Sequence, residues 1–191
     1  MKAVILCGGQ GSRIRDASEL IPKPLLPIGG RPILWHIMKM YASHGVKDFV
    51  ICLGYKGWLI KQFFLNYATS MSDFTMTLGR QSEYTFYGDL EEADWRVTLA
   101  DTGDDAMTGA RLRKIRKYLA EDEDFCVTYG DGVGDVDVTK LIEHHRASGL
   151  TATLTGVRVS GRFGELQFEG NKVLDFSEKP VESSGLVNGG F

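Results

Sequence analysis

The chain lacks the residues that usually staple or metallate a small fold. Its 191 residues hold three cysteines, Cys7, Cys52 and Cys126, an odd number with no Cys-x-x-Cys pair. All three lie in apolar, strand-like runs, which reads as buried free thiols in a reducing cytoplasm. The four histidines, His36, His44, His144 and His145, fall at no zinc spacing. The adjacent pair His144 and His145 would point about 100° apart on a helix, so a structural zinc is not expected. Long apolar runs are missing too. None approaches the roughly 18 residues of a membrane span, and the run that opens the chain is too short for a signal peptide. Positive charge is not in excess: Lys plus Arg is 22, Asp plus Glu is 25, and the net charge is -3. Nucleic-acid binding and polybasic membrane binding both rest on such an excess, so neither is expected. What remains is 43% apolar and 25% charged, an ordinary composition for a globular domain and too apolar for disorder.

The order of patterns alternates. Lys2 to Cys7 and Asp48 to Leu53 are short apolar runs, consistent with strands buried on both faces. Between them Pro32 opens a helical pattern (Ile33, Leu34, Ile37, Met38, Tyr41) that Gly45 closes. Lys56 to Tyr67 reads as one helix, with Leu59, Ile60, Phe63, Phe64 and Tyr67 inward. Short strands are expected at 74–78, 84–87 and 96–100. A helix is expected over Thr108 to Leu119, with Leu112, Ile115 and Leu119 inward, and a strand over Asp124 to Tyr129. Val138 to Ser148 reads as a helix and Thr151 to Val157 as a strand. The runs 164–168 and 172–176 flank Glu169-Gly170-Asn171 as a hairpin would. Trp35 and Trp58 read as core. Strands alternating with helices imply a doubly wound α/β domain, mainly parallel, with a small antiparallel addition. Residues 1–191 contain no repeat or linker and read as a single domain. Asn188-Gly189-Gly190-Phe191 carries no polar tail, and truncation at the C-terminal end is expected.

Three stretches carry chemistry. In Leu6-Cys7-Gly8-Gly9-Gln10-Gly11-Ser12-Arg13 a buried strand runs into a glycine-rich loop whose N–H groups can approach phosphate oxygens closely. Ser12 adds a hydroxyl, Arg13 a fork of donors, and Lys23, between Pro22 and Pro24, a second cation on a stiffened loop. The same residues also suit a plain turn with a solvated Arg and Lys. A P-loop is excluded, because no Gly-Lys-Ser/Thr follows. A dinucleotide fingerprint is disfavoured, because Ile14 takes the place of its third small residue. In Tyr129-Gly130-Asp131-Gly132 a carboxylate follows a strand between glycines. It suits a Mg²⁺ shared with substrate phosphates, or simply a turn. Glu178-Lys179-Pro180 pairs an acid and a base that suit a sugar hydroxyl and a phosphate, or solvent. Arg111 begins a helix beside Thr108-Gly109, where anions are welcome. The cations that follow it, Arg113 to Lys117, read as a solvated face.

Taken together, these stretches resemble the sugar-1-phosphate nucleotidylyltransferases. The opening Gly-Gly-x-Gly-x-Arg with Pro-Lys-Pro carries the resemblance. Gly54-Tyr55-Lys56-Gly57, Asp101-Thr102-Gly103, Met107-Thr108-Gly109, Tyr129-Gly130-Asp131-Gly132 and Gly161-Arg162-Phe163-Gly164 extend it along the whole chain, towards the cytidylyl-transferring branch. The resemblance implies a Rossmann-like core, CTP and glucose 1-phosphate as substrates, Mg²⁺ as cofactor, and CDP-glucose and pyrophosphate as products. It implies that Leu6, Gly8, Gly9, Gly11, Ser12 and Gly130 cradle the nucleotide, with Thr108, Gly109 and Arg111 beside the cytidine. Arg13, Lys23 and Asp131 would be catalytic, Arg13 and Lys23 by neutralising phosphate and Asp131 by holding the metal. Gly164, Glu178 and Asn188 would meet the glucose and Lys179 its phosphate. Ser12 stands where the family usually has threonine, and Cys7 where alanine is common. Family members continue past this ending into a segment with a second metal-binding aspartate and oligomer contacts. The chain as given is therefore expected to hold nucleotide better than it turns it over, and a homo-oligomer is expected of the longer form.

Other readings are a thymidylyl- or uridylyltransferase and a non-catalytic nucleotide or sugar-phosphate sensor. A sensor need not keep Arg13, Lys23, Asp131 and Lys179 together. A dinucleotide oxidoreductase is weaker, for want of the third small residue. Because Lys23 is expected on a loop, Lys23→Ala should lower kcat more than it perturbs folding. Steady-state kinetics beside a thermal melt measures both.

Overall fold

The structure, a computed structural model, describes residues 1–9, 21–79, 83–119, 124–158, 165–169, 172–177 and 186–191. They fall into two compact units, Met1–Val138 and Thr139–Phe191.

In the first unit β1 (Lys2–Cys7) is followed by a 3-10 turn (Lys23–Leu25) and the minimal pair β2 (Pro27–Ile28) and β3 (Arg31–Pro32). Then come α1 (Ile33–Ser43), β4 (Asp48–Leu53), α2 (Gly57–Leu65), α3 (Tyr67–Met71), β5 (Asp73–Met76) and β6 (Tyr84–Tyr87). The unit continues with β7 (Arg96–Asp101), α4 (Thr108–Leu119) and β8 (Phe125–Tyr129). Its sheet has four parallel strands in the order β7-β4-β1-β8. A parallel sheet needs cover on both faces, which is why KAVILC and DFVICL are apolar almost throughout. On one face Val4, Val50, Cys52 and Ala100 pack with Ile115 and Leu119 of α4. On the other lie Ile5, Phe49 and Ile51, fully buried. There the Tyr41 hydroxyl of α1 bonds to Thr128, the register partner of Ile5. The α/β reading of the sequence stands, including its small antiparallel additions: β5 and β6 form a hairpin apart from the main sheet.

The second unit contains almost all of α5 (Val138–Ser148), β9 (Gly156–Arg158), β10 (Glu165–Glu169), β11 (Lys172–Ser177) and β12 (Leu186–Asn188). β10 pairs antiparallel with β11 and β12 with β9. The expected hairpin is therefore present.

Four expectations need correction. The helix read over 56–67 breaks at Asn66, whose side-chain amide and backbone N–H both donate to the Gln62 carbonyl. A side chain that competes for helix acceptors ends the helix. The strand read over 151–157 is confined to Gly156–Arg158, because the ladder turns irregular beyond Gly156: Thr155 accepts from the Gly189 N–H at 2.8 Å and donates to the Phe191 carbonyl at 2.9 Å, past Gly190 at φ 90°. Trp58 is not core but 58% exposed, one position past the buried face marked by Gly57 and Ile60. Trp35 is half-buried, its indole N–H donating to the Tyr67 hydroxyl (2.9 Å) and the Glu92 carboxylate (3.1 Å). Cys7 and Cys52 are buried free thiols, but Cys126 is only half-buried, since among the described residues β8 is the outermost strand of its sheet. Among the described residues no helix is long and apolar enough to cross a membrane.

Ile115 is fully buried and ties α4 to the sheet. Ile115→Ala should cost about 2–5 kcal/mol of unfolding free energy, measured by urea denaturation.

Candidate active site

The strand order fixes where a site can form. From β1 the chain adds β4 and then β7 on one side, and returns to place β8 on the other side of β1. The loops leaving β1 and β8 therefore part company, and the crevice between them is where α/β sheets bind ligands. Leu6 pairs with Tyr129 at the ends of the two strands, and the Gly130 N–H donates to the Leu6 carbonyl at 3.0 Å. A cavity of about 290 Å³ opens there, lined by the ends of β1 and β8, by Lys23 and Pro24, and by residues 106–108 and Arg111.

Lys23 and Asp131 face each other across this cavity. Their Nζ and Oδ2 atoms lie 3.8 Å apart, with the Lys23 side chain 20% exposed and that of Asp131 49% exposed. Both backbones are held firmly. Lys23 stands between Pro22 and Pro24 in a 3-10 turn closed by N–H donation from Leu25 to Pro22 and from Leu26 to Lys23. Asp131 follows Gly130, where a Cβ would meet the Cys7 sulfur at 2.5 Å and the Leu6 carbonyl and Pro24 ring at 3.1 Å. Only glycine permits that approach.

Arg111 closes the cavity floor from α4. It is 5% exposed. Its Nη1 donates to the Leu53 carbonyl (3.0 Å), the Thr102 hydroxyl (2.6 Å) and the Gly103 carbonyl (2.9 Å). Its Nη2 donates to the carbonyls of Gly8 (2.9 Å) and Asp104 (3.2 Å). One guanidinium thus satisfies oxygens at the ends of β1, β4 and β7. It also explains two glycines: a Cβ at Gly8 would fall on the guanidinium, and one at Gly54 would come within 2.7 Å of it. Lys114, on the next turn, donates to the Thr102 carbonyl at 2.7 Å.

Cys7 lines the cavity but supplies no nucleophile. Burial, reinforced by the neighbouring Cys52 and Asp131, pushes its thiol far above the usual range, and burial pushes Cys52 up to about 11. Both stay protonated at neutral pH.

The structure gathers Leu6, Gly9, Lys23, Thr108, Arg111, Gly130 and Asp131 around one cavity, with Gly8 beneath it under Arg111. Gly109 follows Thr108 at the start of α4 and faces open space, as Gly9 does. Gly11, Ser12, Arg13, Gly164, Glu178 and Lys179 lie outside the described residues. Asn188 ends β12 in the second unit, where its side-chain oxygen accepts the Gly190 N–H at 2.9 Å. Reading for ligand contacts missed Thr102, which is fully buried and donates its hydroxyl proton to the Leu53 carbonyl. It also missed the inward turn of Arg111. The signal was present in the glycine-flanked Thr102 and Gly54, which mark close approach of something bulky. No group of three His, Cys, Asp or Glu able to hold a metal occurs among the described residues. Asp131 is the acidic residue of the cavity lining.

Residues 2–191 match the Nucleotidyl transferase family, and the chain belongs to it. Among its relatives, the glucose-1-phosphate cytidylyltransferase of Salmonella typhi is 49% identical over all of this chain and 74% of its own length. A probable glucose-1-phosphate cytidylyltransferase of Bacillus subtilis is 44% identical over all of this chain and 73% of its own. Among solved structures, HddC from Yersinia pseudotuberculosis complexed with GMP-PN superposes with a TM-score of 0.61 at 26% identity, covering 98% of this chain and 73% of that one.

The Arg111 contacts predict a graded loss. Arg111→Met leaves buried acceptors unpaired and should cost about 3 kcal/mol of stability. Arg111→Lys should restore only part, because one ammonium cannot reproduce the fork. Chemical denaturation of both variants measures the difference.

Proposed function

We propose that the chain transfers a cytidylyl group from CTP to α-D-glucose 1-phosphate, giving CDP-glucose and pyrophosphate. The observation that carries this reading is the cavity at the carboxyl ends of β1 and β8, where Lys23 and Asp131 stand 3.8 Å apart beside the glycine loop. The 49% identity over the whole chain supports the choice of base and sugar.

A sugar-phosphate oxygen forms a bond to the α-phosphorus as the bond to the β-phosphate bridge breaks, and pyrophosphate leaves in line. No protein nucleophile is required, so positioning and charge neutralisation supply the rate. Lys23 neutralises the triphosphate from its stiffened turn. The N–H groups of Gly8, Gly9 and Gly11 and the hydroxyl of Ser12 hold its oxygens, with Arg13 as a second cation. Leu6, Thr108, Gly109 and Gly130 bound the nucleoside, and Arg111 sets the floor on which it rests. Gly164, Glu178 and Asn188 take the glucose, and Lys179 its phosphate. Asp131 fits Mg²⁺ in the way expected of a cation that usually takes one or two carboxylates plus substrate phosphates. When bound there, Mg²⁺ would offset phosphate charge that the side chains leave unbalanced. The whole of residues 1–191 is the nucleotidyltransferase domain in this reading, working in the cytoplasm, and the product suits polysaccharide biosynthesis.

Pyrophosphate release with Mg²⁺ and glucose 1-phosphate, CTP, UTP, dTTP, GTP and ATP being offered separately, tests the proposal. Release with CTP well above the others is the expected result. Release with UTP or dTTP but not CTP would overturn the choice of base. Binding of CTP without release, in this chain and in one extended to the relatives' length, would favour a sensor.

A further inference from the structure

We infer that Lys23 guards Asp131 against free divalent cations, so that the carboxylate accepts a cation only together with a bound triphosphate. The inference rests on the nucleotidyl-transfer reading and adds a coupling to it. Asp131 already has a cationic neighbour, the Lys23 ammonium at 3.8 Å. The pair is built into the backbone rather than left to two flexible side chains. Pro24 packs against Gly130, so the residue after Lys23 touches the residue before Asp131. Among the described residues, the charged ones in the cavity lining are Lys23, Arg111 and Asp131, two cations and one anion. Arg111 is bonded to carbonyl and hydroxyl oxygens only. The ligand-free cavity is therefore net positive, which attracts a polyphosphate and repels a cation. One carboxylate is also too few oxygens for a hard divalent ion, which takes six or more, counting water. A triphosphate reverses both conditions. Lys23 exchanges Asp131 for phosphate oxygens, the cavity charge becomes negative, and the phosphates add ligands beside the freed carboxylate.

Binding of Mn²⁺, followed by the loss of its free electron paramagnetic resonance signal, tests this without turnover. The protein is titrated alone and with a non-hydrolysable CTP analogue, after correction for Mn²⁺ held by the analogue in protein-free solution. The parent protein should bind Mn²⁺ weakly alone and at least tenfold more tightly with the analogue. Lys23→Met should bind Mn²⁺ alone at least tenfold more tightly than the parent, the order expected for removing a like charge at such short range even under water-like screening. Lys23→Arg, which keeps the charge, should behave as the parent does, and Asp131→Asn should lose the site in every background. Circular dichroism confirms that each variant is folded. Equal Mn²⁺ affinity of the parent with and without the analogue would overturn the inference, whatever happens to the variants. So would a folded Lys23→Met protein that gains nothing. If calorimetry finds that the parent does not bind the analogue at all, the nucleotidyl-transfer reading fails. If it binds and Lys23→Met leaves Mn²⁺ affinity unchanged, only the guarding role fails.

Discussion

The architecture around the cavity depends on how one buried cation is satisfied. Strand ends in a parallel sheet leave carbonyls without ladder partners, and buried carbonyls need donors. Arg111 meets this need at three strand ends with one planar fork, an arrangement an ammonium cannot copy. The consequences spread outward. The fork requires glycine at positions 8 and 54. It fixes the start of the loop that leaves β1, and it anchors the first turns of α4, whose leading residue Thr108 lines the cavity. Ile115 and Leu119 then lock the same helix to the sheet. Core packing and cavity geometry thus share one helix, with its apolar side on the sheet and its buried cation at the cavity floor.

Much of the fold was legible in the sequence because the main strands are buried on both faces. Runs such as KAVILC and DFVICL announce themselves, and so does the helical spacing of Ile33 to Tyr41. The failures have other causes: one depends on a partner distant in sequence, and two on local choices that the apolar pattern does not carry. The strand read over 151–157 is cut short where its ladder with β12 turns irregular, which no local pattern reveals. The helix read over 56–67 is broken by the choice of acceptor made by one asparagine. Trp58 follows a left-handed Lys56 at φ 52°, which sets the phase of α2 and turns the indole outward.

The site was legible in outline for the same reason that the fold was. Glycines after two strands mark where a backbone approaches something closely, and the strand order converts those marks into a crevice. The sequence does not say what approaches them. Gly8 reads in the sequence as room for phosphate at its N–H, and the structure shows a second demand on it, the Arg111 guanidinium packed where a Cβ would stand. Gly130 reads in the sequence as one of two glycines of a turn around a carboxylate, and the structure adds a packing constraint set by Cys7, Leu6 and Pro24. The pairing of Lys23 with Asp131 across more than a hundred residues of chain is equally invisible to local pattern, being a product of the β1–β8 register.

That register has a consequence for how the molecule assembles. Lys2 pairs with Phe125, so β8 can dock only after the intervening strands and helices have formed or been looped aside. Such non-local parallel pairing is slow, because loop-closure entropy is lost before the contacts repay it. The cavity lies at this seam, between the first strand of the chain and the one that pairs with it across the longest stretch of sequence in the sheet. Ligand affinity therefore reports on the completeness of folding as well as on the chemistry of the pocket. A ligand that binds the folded cavity and not the open chain would therefore stabilise the pairing of β8 with β1 by mass action.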